Sequence, residues 1–225
     1  KTKFGLNAQR VMKIISSWSG GKDSCYALMK AIEAGHELVG ILNIMNENEQ
    51  ISRSHGLTKD LLRQQALALG VPLKTHPASW EHYEKEFIRS LTQLKAEVKA
   101  EAAVFGDIDL IEHRKWEEKV CEAVGITPLL PLWQMDRMEL LIQMLNEGVE
   151  CMIVSCNEQL GRDYLGRKLN FHILDEFKEK GIDECGENGE YHTIVTNCPL
   201  FTKPIELPNY NKTTNKNYNF IKWDN

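Results

Sequence analysis

Six consecutive residues, Ser19-Gly20-Gly21-Lys22-Asp23-Ser24, combine two glycines, two hydroxyls, an ammonium and a carboxylate. Residues 11–15 ahead of them, VMKII, read as a short buried strand, and residues 24–34 behind them read as a helix. A helix opening at the carboxyl end of a strand offers unpaired N–H groups and the positive end of its dipole to an anion. Gly20 and Gly21 let the backbone close as a nest of donors. Lys22 adds a mobile positive charge for phosphate oxygens, and Ser19 and Ser24 add hydroxyl donors. Asp23 is suited to cap the helix or to help hold Mg²⁺, which makes it the candidate metal ligand. A tight turn with an Asp-Ser cap is the plainer alternative. It accounts poorly for six residues that each suit phosphate, at the place where α/β sheets bind ligands. The lysine follows the glycines directly and Asp intervenes before Ser24, so this is not G-x-x-x-x-G-K-[ST].

A second segment, Gly186-Glu187-Asn188-Gly189-Glu190, brings two carboxylates close together, and its glycines permit a tight backbone path. Glu187 and Glu190 can bind Mg²⁺, hold ammonium or face a cationic substrate, with Tyr191 as an aromatic edge. The alternative is a polar turn before a strand. His192, at the start of that strand, reads as a structural histidine more readily than as a general base. Asn43 and Met45 lie near the end of a second strand, where a nucleotide-binding sheet would contact adenosine. Arg53 and His55 follow in SRSHG, with ATP, substrate or solvent within reach. Asp107 stands just after a core strand, at the ligand edge of the sheet. Arg114 lies one or two turns into the next helix, where a solvated face with i,i+4 pairs is the ordinary expectation. Trp116 and Trp133 read as packing residues. Residues 157–170 form a polar loop carrying Arg162, Arg167 and Lys168, long enough for a binding role.

Positioning these groups requires strands that alternate with helices. Strand-like runs at residues 37–45, 71–76 and 102–108 alternate with helical patterns at 58–69, 82–99 and 112–125. Glycines 70, 125 and 181 stand where helices should stop. The pattern predicts an α/β fold, a parallel sheet with helices on both faces. After a boundary near Pro131 the character changes to helix 136–147, strand 149–156, helix 171–180 and a β-prone run beyond residue 190. This predicts a nucleotide-binding domain over residues 12–130 and a smaller α+β domain over 131–225. The last stretch, PNYNKTTNKNYNFIKWDN, reads as weakly specified.

The 225 residues carry 27 basic and 32 acidic side chains, a net charge of −5, which gives no electrostatic footprint for general nucleic-acid binding. No apolar run reaches membrane-spanning length. The opening KTKFGLNAQR has no apolar segment behind it, so it does not read as a signal peptide, and Met12 reads as a natural start. Six cysteines without a C-x-x-C pair suggest reduced thiols in a cytoplasmic protein.

The SGGKDS loop resembles the PP-loop of the ATP pyrophosphatases, enzymes that cleave ATP between its α and β phosphates. The likeness extends to Gly106-Asp107-Ile108 followed by Arg114, to LGRKLN at residues 165–170 and to CGENGEYHT at residues 185–193. Together these resemble the diphthine–ammonia ligase family over residues 12–201. The resemblance implies an adenine nucleotide alpha hydrolase-like fold, ATP and Mg²⁺ as cofactors, and AMP-forming amide synthesis. A carboxylate of diphthine on elongation factor 2 would be activated by ATP and attacked by ammonia. It implies Lys22, Asp23, Glu187 and Glu190 as catalytic groups, with Ser19, Gly20, Gly21, Lys22, Asp23, Ser24, Asn43, Asp107 and Arg114 around ATP. Arg167, Gly186, Glu187, Gly189, Glu190 and Tyr191 would lie around the acceptor, whose trimethylammonium group would meet Glu187, Glu190 and Tyr191. Pairing with a second copy of the chain is compatible with it. His192 stands where the family often has glutamate, which bears on the acceptor. tRNA thiolation fits less well, because cysteine pairs and a basic surface are lacking. A nucleotide sensor without turnover is the remaining alternative.

Overall fold

The computed structural model describes residues 10–224; the reading of the opening residues falls largely on 1–9, outside the described residues. Strands β1 (Lys13–Ser17), β2 (Glu37–Met45), β3 (Leu73–Pro77), β4 (Ala102–Val104) and β5 (Thr127–Leu129) form one parallel sheet in the order β3-β2-β1-β4-β5. Helices α1 (Lys22–Glu33), α2 (Lys59–Leu69), α3 (Tyr83–Val98) and α4 (Ile111–Val124) make the crossovers. Alternate strand residues face opposite ways. Ile14 packs with Leu28 of α1 and Leu61 of α2, while its neighbour Ile15 packs with Leu91 of α3 and Val120 of α4. Helices therefore cover both faces. The chain runs outward from β1 to β3 and returns to β4, so a crevice opens at the carboxyl ends of β1 and β4.

Beyond Pro131, α5 (Arg137–Asn146), β6 (Glu150–Asn157), α6 (Phe171–Lys180), β7 (Tyr191–Asn197), β8 (Tyr210–Asn215) and β9 (Tyr218–Trp223) follow. Their strands form a second, antiparallel sheet in the order β7-β6-β9-β8. Ile153, Ile194, Phe177 and Ile221 share one buried cluster with the inner faces of α1 and α2, so the two sheets have a common core. Thr58, Asp136 and Asn170 cap α2, α5 and α6 through their side chains, and Gly70, Gly125 and Gly181 end α2, α4 and α6 in left-handed geometry.

Three local expectations are corrected. Helix α1 begins at Lys22 rather than Ser24, because Gly21 is already its extended N-cap residue. The strand expected over 102–108 ends at Val104; from Phe105 onward the chain turns across the start of α1, where Gly106 meets the backbone of Asp23 and Ser24. The Asn- and Lys-rich tail is a hairpin. Asn219, Ile221 and Trp223 alternate inward along β9, and the Trp223 indole N–H donates to the Gly56 carbonyl at 3.0 Å.

Candidate active site

The loop between β1 and α1 is held by the second sheet. The Gly20 carbonyl accepts from the Val195 N–H at 2.9 Å and from Gln65 Nε2 at 3.0 Å. The Thr193 hydroxyl accepts from the Lys22 N–H at 3.0 Å, and the Thr193 carbonyl meets His55 Nδ1 at 2.7 Å. Gly20 has φ +87°, and a Cβ on Gly21 would collide with the His55 ring, so neither position accepts a side chain without rearrangement. Asp23 and Ser24 sit in the first turn of α1, where N–H groups lack an i−4 carbonyl, and both line the cavity beside the loop.

Lys22 is only 3 % exposed. Its Nζ donates to both Asp23 carboxylate oxygens at 2.9 and 2.8 Å and to the Cys185 carbonyl at 2.5 Å, with the Tyr191 ring centroid at 5.1 Å. Burial works against its charge, but the Asp23 ion pair outweighs that and holds its pKa well above the ordinary value. The ammonium is thus a fixed charge rather than a mobile arm. Asp23 pairs with it through both oxygens, each of which keeps a further lone pair, and makes no cap to α1.

A cavity of about 540 Å³ fills the β1/β4 crevice. Ser19, Lys22, Asp23 and Ser24 line it together with Arg53, His55, Gly106, Asp107, Gly186, Glu187, Gly189, Tyr191 and His192. A smaller hollow of about 70 Å³ adjoins it, lined by Trp18, Ser19, Asn43 and Ser52 among others. Asn43 Nδ2 donates to the Trp18 carbonyl at 2.7 Å. Its Oδ1 is buried and finds no partner among the described residues. An amide acceptor left open in a hollow is matched to a ligand N–H.

The titratable groups are tuned by burial. His55 and His192 face each other with centroids 4.7 Å apart, and burial lowers both pKa values, that of His192 to about 3. Both rings are neutral at pH 7, and His192 is a weak proton acceptor. Burial, reinforced by Asp23, raises Glu187 to about 7. The Glu187 N–H donates to Asp183 Oδ2 at 2.8 Å, and Asp183 pairs with Arg137 at 2.6 Å. Arg137 also grips Asp109 at 2.7 and 2.8 Å, so one guanidinium ties the 183–190 loop to the loop after β4.

Three of the residues assigned to the site from the resemblance point elsewhere. The Arg114 Nε donates to Glu118 at 2.7 Å and its guanidinium lies over Trp133, away from the cavity. Arg167 forms a fork on Glu176 and lies over Tyr164, also outside it. Glu190 is buried and accepts from the Asn188 N–H at 3.1 Å and Nδ2 at 3.3 Å, which turns it into its own loop. Cavity residues that were not singled out include His113, Glu117 and Tyr83. Leu110, His113 and Glu117 follow i, i+3, i+7 along α4, a stripe that could have marked a cavity-facing side. Glu117 was concealed within the charged run EHRKWEEK.

Comparison with known proteins bears on this geometry. A family model described as the diphthamide synthase N-terminal domain matches residues 12–128, and one described as the diphthamide synthase C-terminal domain matches residues 136–224. The diphthine–ammonia ligase of Danio rerio is 30% identical over 220 residues, covering 86% of this chain and 86% of that protein. That of Homo sapiens is 31% identical over 220 residues, covering 86% of this chain and 82% of that protein. A solved structure described as a predicted subunit of tRNA methyltransferase from Methanocaldococcus jannaschii DSM aligns with a TM-score of 0.46 at 18% identity. It covers 86% of this chain and all of that one, a likeness too distant to argue from.

Proposed function

This chain belongs to the diphthamide synthase family, and from that premise we propose that it is an ATP-dependent ligase that amidates a carboxylate with ammonia, as a diphthine–ammonia ligase does. The observation that carries the reading is one cavity that joins the N–H nest and buried cation of α1 to the carboxylate of Glu187. The nest, the hydroxyls of Ser19 and Ser24, and Lys22 suit the phosphates of ATP. Asn43 Oδ1, in the adjoining hollow, suits the amino group of adenine.

Among the described residues no group of three or more His, Cys, Asp or Glu side chains could hold a metal ion. Mg²⁺ would therefore arrive with the nucleotide phosphates, with Asp23 as its protein contact; when bound, it offsets charge on departing pyrophosphate. Lys22 stabilises that same charge without having to reorganise, because its position is already set by Asp23 and the Cys185 carbonyl. Ammonia displaces AMP from the activated carboxyl, and the proton it sheds needs an acceptor. Glu187, titrating near pH 7, is matched to that step.

We assign residues 12–130 to the nucleotide and residues 131–225, together with the cavity wall contributed by α3, α4 and the loop after β4, to the acceptor, diphthine on elongation factor 2. No described helix is long and apolar enough to cross a membrane, and we place the reaction in the cytoplasm. Incubation with ATP, Mg²⁺, ammonium and diphthine-bearing elongation factor 2 should yield AMP, pyrophosphate and amidated acceptor in equal amounts. Lys22→Ala should lose turnover by at least a hundredfold while keeping the far-UV spectrum of the parent. ADP as product, or undiminished turnover by Lys22→Ala, would overturn the reading.

A further inference from the structure

One end of the cavity lies against α4, away from the Ser19–Ser24 loop in sequence. There Glu117 is 2 % exposed, lines the cavity, and has one carboxyl oxygen, Oε2, without a hydrogen-bond partner among the described residues. Asp107 is its acidic neighbour and bonds His113 Nδ1 at 2.5 Å. The rings of Tyr83 and Trp116, 5.7 Å apart, line the same end. Two carboxyl groups flanked by aromatic faces constitute the chemistry that recognises an alkylated ammonium, since the ring quadrupole and the carboxylate both attract a large, weakly hydrated cation.

We propose that Asp107, Glu117, Tyr83 and Trp116 form the subsite for a methylated ammonium group of the acceptor. The assignment rests on the ligase reading for its place in the reaction, but not for the binding itself. It replaces the cradle expected at Glu187, Glu190 and Tyr191. Glu190 is turned into its own loop, and Tyr191 is buried beside Lys22 with its hydroxyl donating to the Glu184 carbonyl.

Competing occupants fit less well. A divalent metal would need three converging ligands, and none of the described clusters supplies them. Free ammonium is strongly hydrated and gains little from aromatic walls. Two cations already stand at this end. Arg53 lies over Trp80 at 4.3 Å and donates to the Ala78 carbonyl, which removes Trp80 from the subsite. His113, when protonated, offsets Asp107. Glu117 is then the carboxyl still without a cation. Burial, and after it the neighbouring Asp107, raise its pKa to about 11, so the subsite presents Glu117 as a neutral carboxyl with an open oxygen beside the Asp107 carboxylate.

The test uses the full chain and two probes of equal shape, choline and its neutral carbon isostere 3,3-dimethylbutan-1-ol, in isothermal titration calorimetry. Choline should bind at least tenfold more tightly than the isostere and compete with the acceptor protein rather than with ATP. Glu117→Gln and Trp116→Leu should each weaken choline fivefold or more and leave ATP affinity within twofold. Equal binding of the two probes, no binding of either, or displacement of choline by millimolar Mg²⁺ or ammonium would overturn the assignment. Choline binding as expected without AMP formation on diphthine-bearing elongation factor 2 would instead refute the ligase reading and leave the subsite standing.

Discussion

Replacing Gly106 by alanine tests how closely the loop after β4 is seated on the start of α1. A Cβ there would lie 2.7 Å from the Asp23 carbonyl carbon, 2.7 Å from the Ser24 nitrogen and 3.0 Å from the Asp23 oxygen. Carbon atoms rest at about 3.5–4.0 Å from non-bonded neighbours, so the loop or the helix start must retreat by roughly 1 Å. All three atoms belong to backbone, and no side chain can swing aside. Overpacking of this kind costs about 1–3 kcal/mol. For a chain of this length each kcal/mol lowers Tm by about 2–4 °C, so a fall of roughly 2–12 °C is expected. The effect on nucleotide should be sharper. An N–H displaced by about 1 Å no longer reaches a phosphate oxygen, and each charge-assisted bond lost is worth about 1.5–3 kcal/mol. ATP affinity should therefore fall by roughly 10–100-fold, one factor of ten for each 1.4 kcal/mol. Thermal unfolding with and without ATP, together with calorimetric titration, reads both quantities. Gly40→Ala is the control: its Cβ would meet only Leu94 methyl groups at 3.4 and 3.5 Å and a carbonyl at 3.6 Å, far from the loop. A Gly106→Ala protein with Tm within about 1 °C of the parent and unchanged ATP affinity would refute the reasoning. So would an equal loss of ATP affinity in Gly40→Ala.

Three further outcomes follow from the site. Glu187 holds its proton up to about pH 7 in the folded chain, so a step that needs its carboxylate should gain rate as pH rises through that value, and Glu187→Gln should flatten this limb of the kcat profile. The same raised pKa means that, between the ordinary carboxyl range and pH 7, the folded state binds more protons than the unfolded one. Stability should fall as pH rises across that window, and the slope should weaken in Glu187→Gln melting curves. Arg114→Ala and Arg167→Ala should each leave the KM for ATP within twofold in initial-rate assays, because both guanidinium groups are held outside the cavity by Glu118 and Glu176; a tenfold rise would show that they swing inward on binding.

The alternation of strands and helices was legible because each element carries its own period and its own stop. Ile14 and Ile15 announce a strand buried on both faces, and Gly70, Gly125 and Gly181 end helices wherever they stand. The β8–β9 hairpin was hidden for the opposite reason. Its Asn and Lys residues have little strand preference, and the pairing of Ser155 with Phe220 that seats it on β6 is a contact between distant parts of the chain. The phosphate loop could be read as one piece because its donors are consecutive and a helix start needs nothing beyond its own backbone to attract an anion.

Residues scattered along the chain could not be read in that way. The charges of Glu117, Arg114 and Glu118 are indistinguishable in the run that carries them, and the rotation of α4 alone decides that Glu117 is buried while the guanidinium of Arg114 lies outside the cavity. Local order determined the strand, the loop, the helix and the anion that suits them, since those depend on neighbours in sequence. The tertiary structure decided that Lys22 is a fixed cation, that Glu190 faces its own loop and that Asp107 meets Glu117. Burial and charge pairing depend on which distant groups are brought within a few ångströms, and that is set only when the two sheets close around their common core.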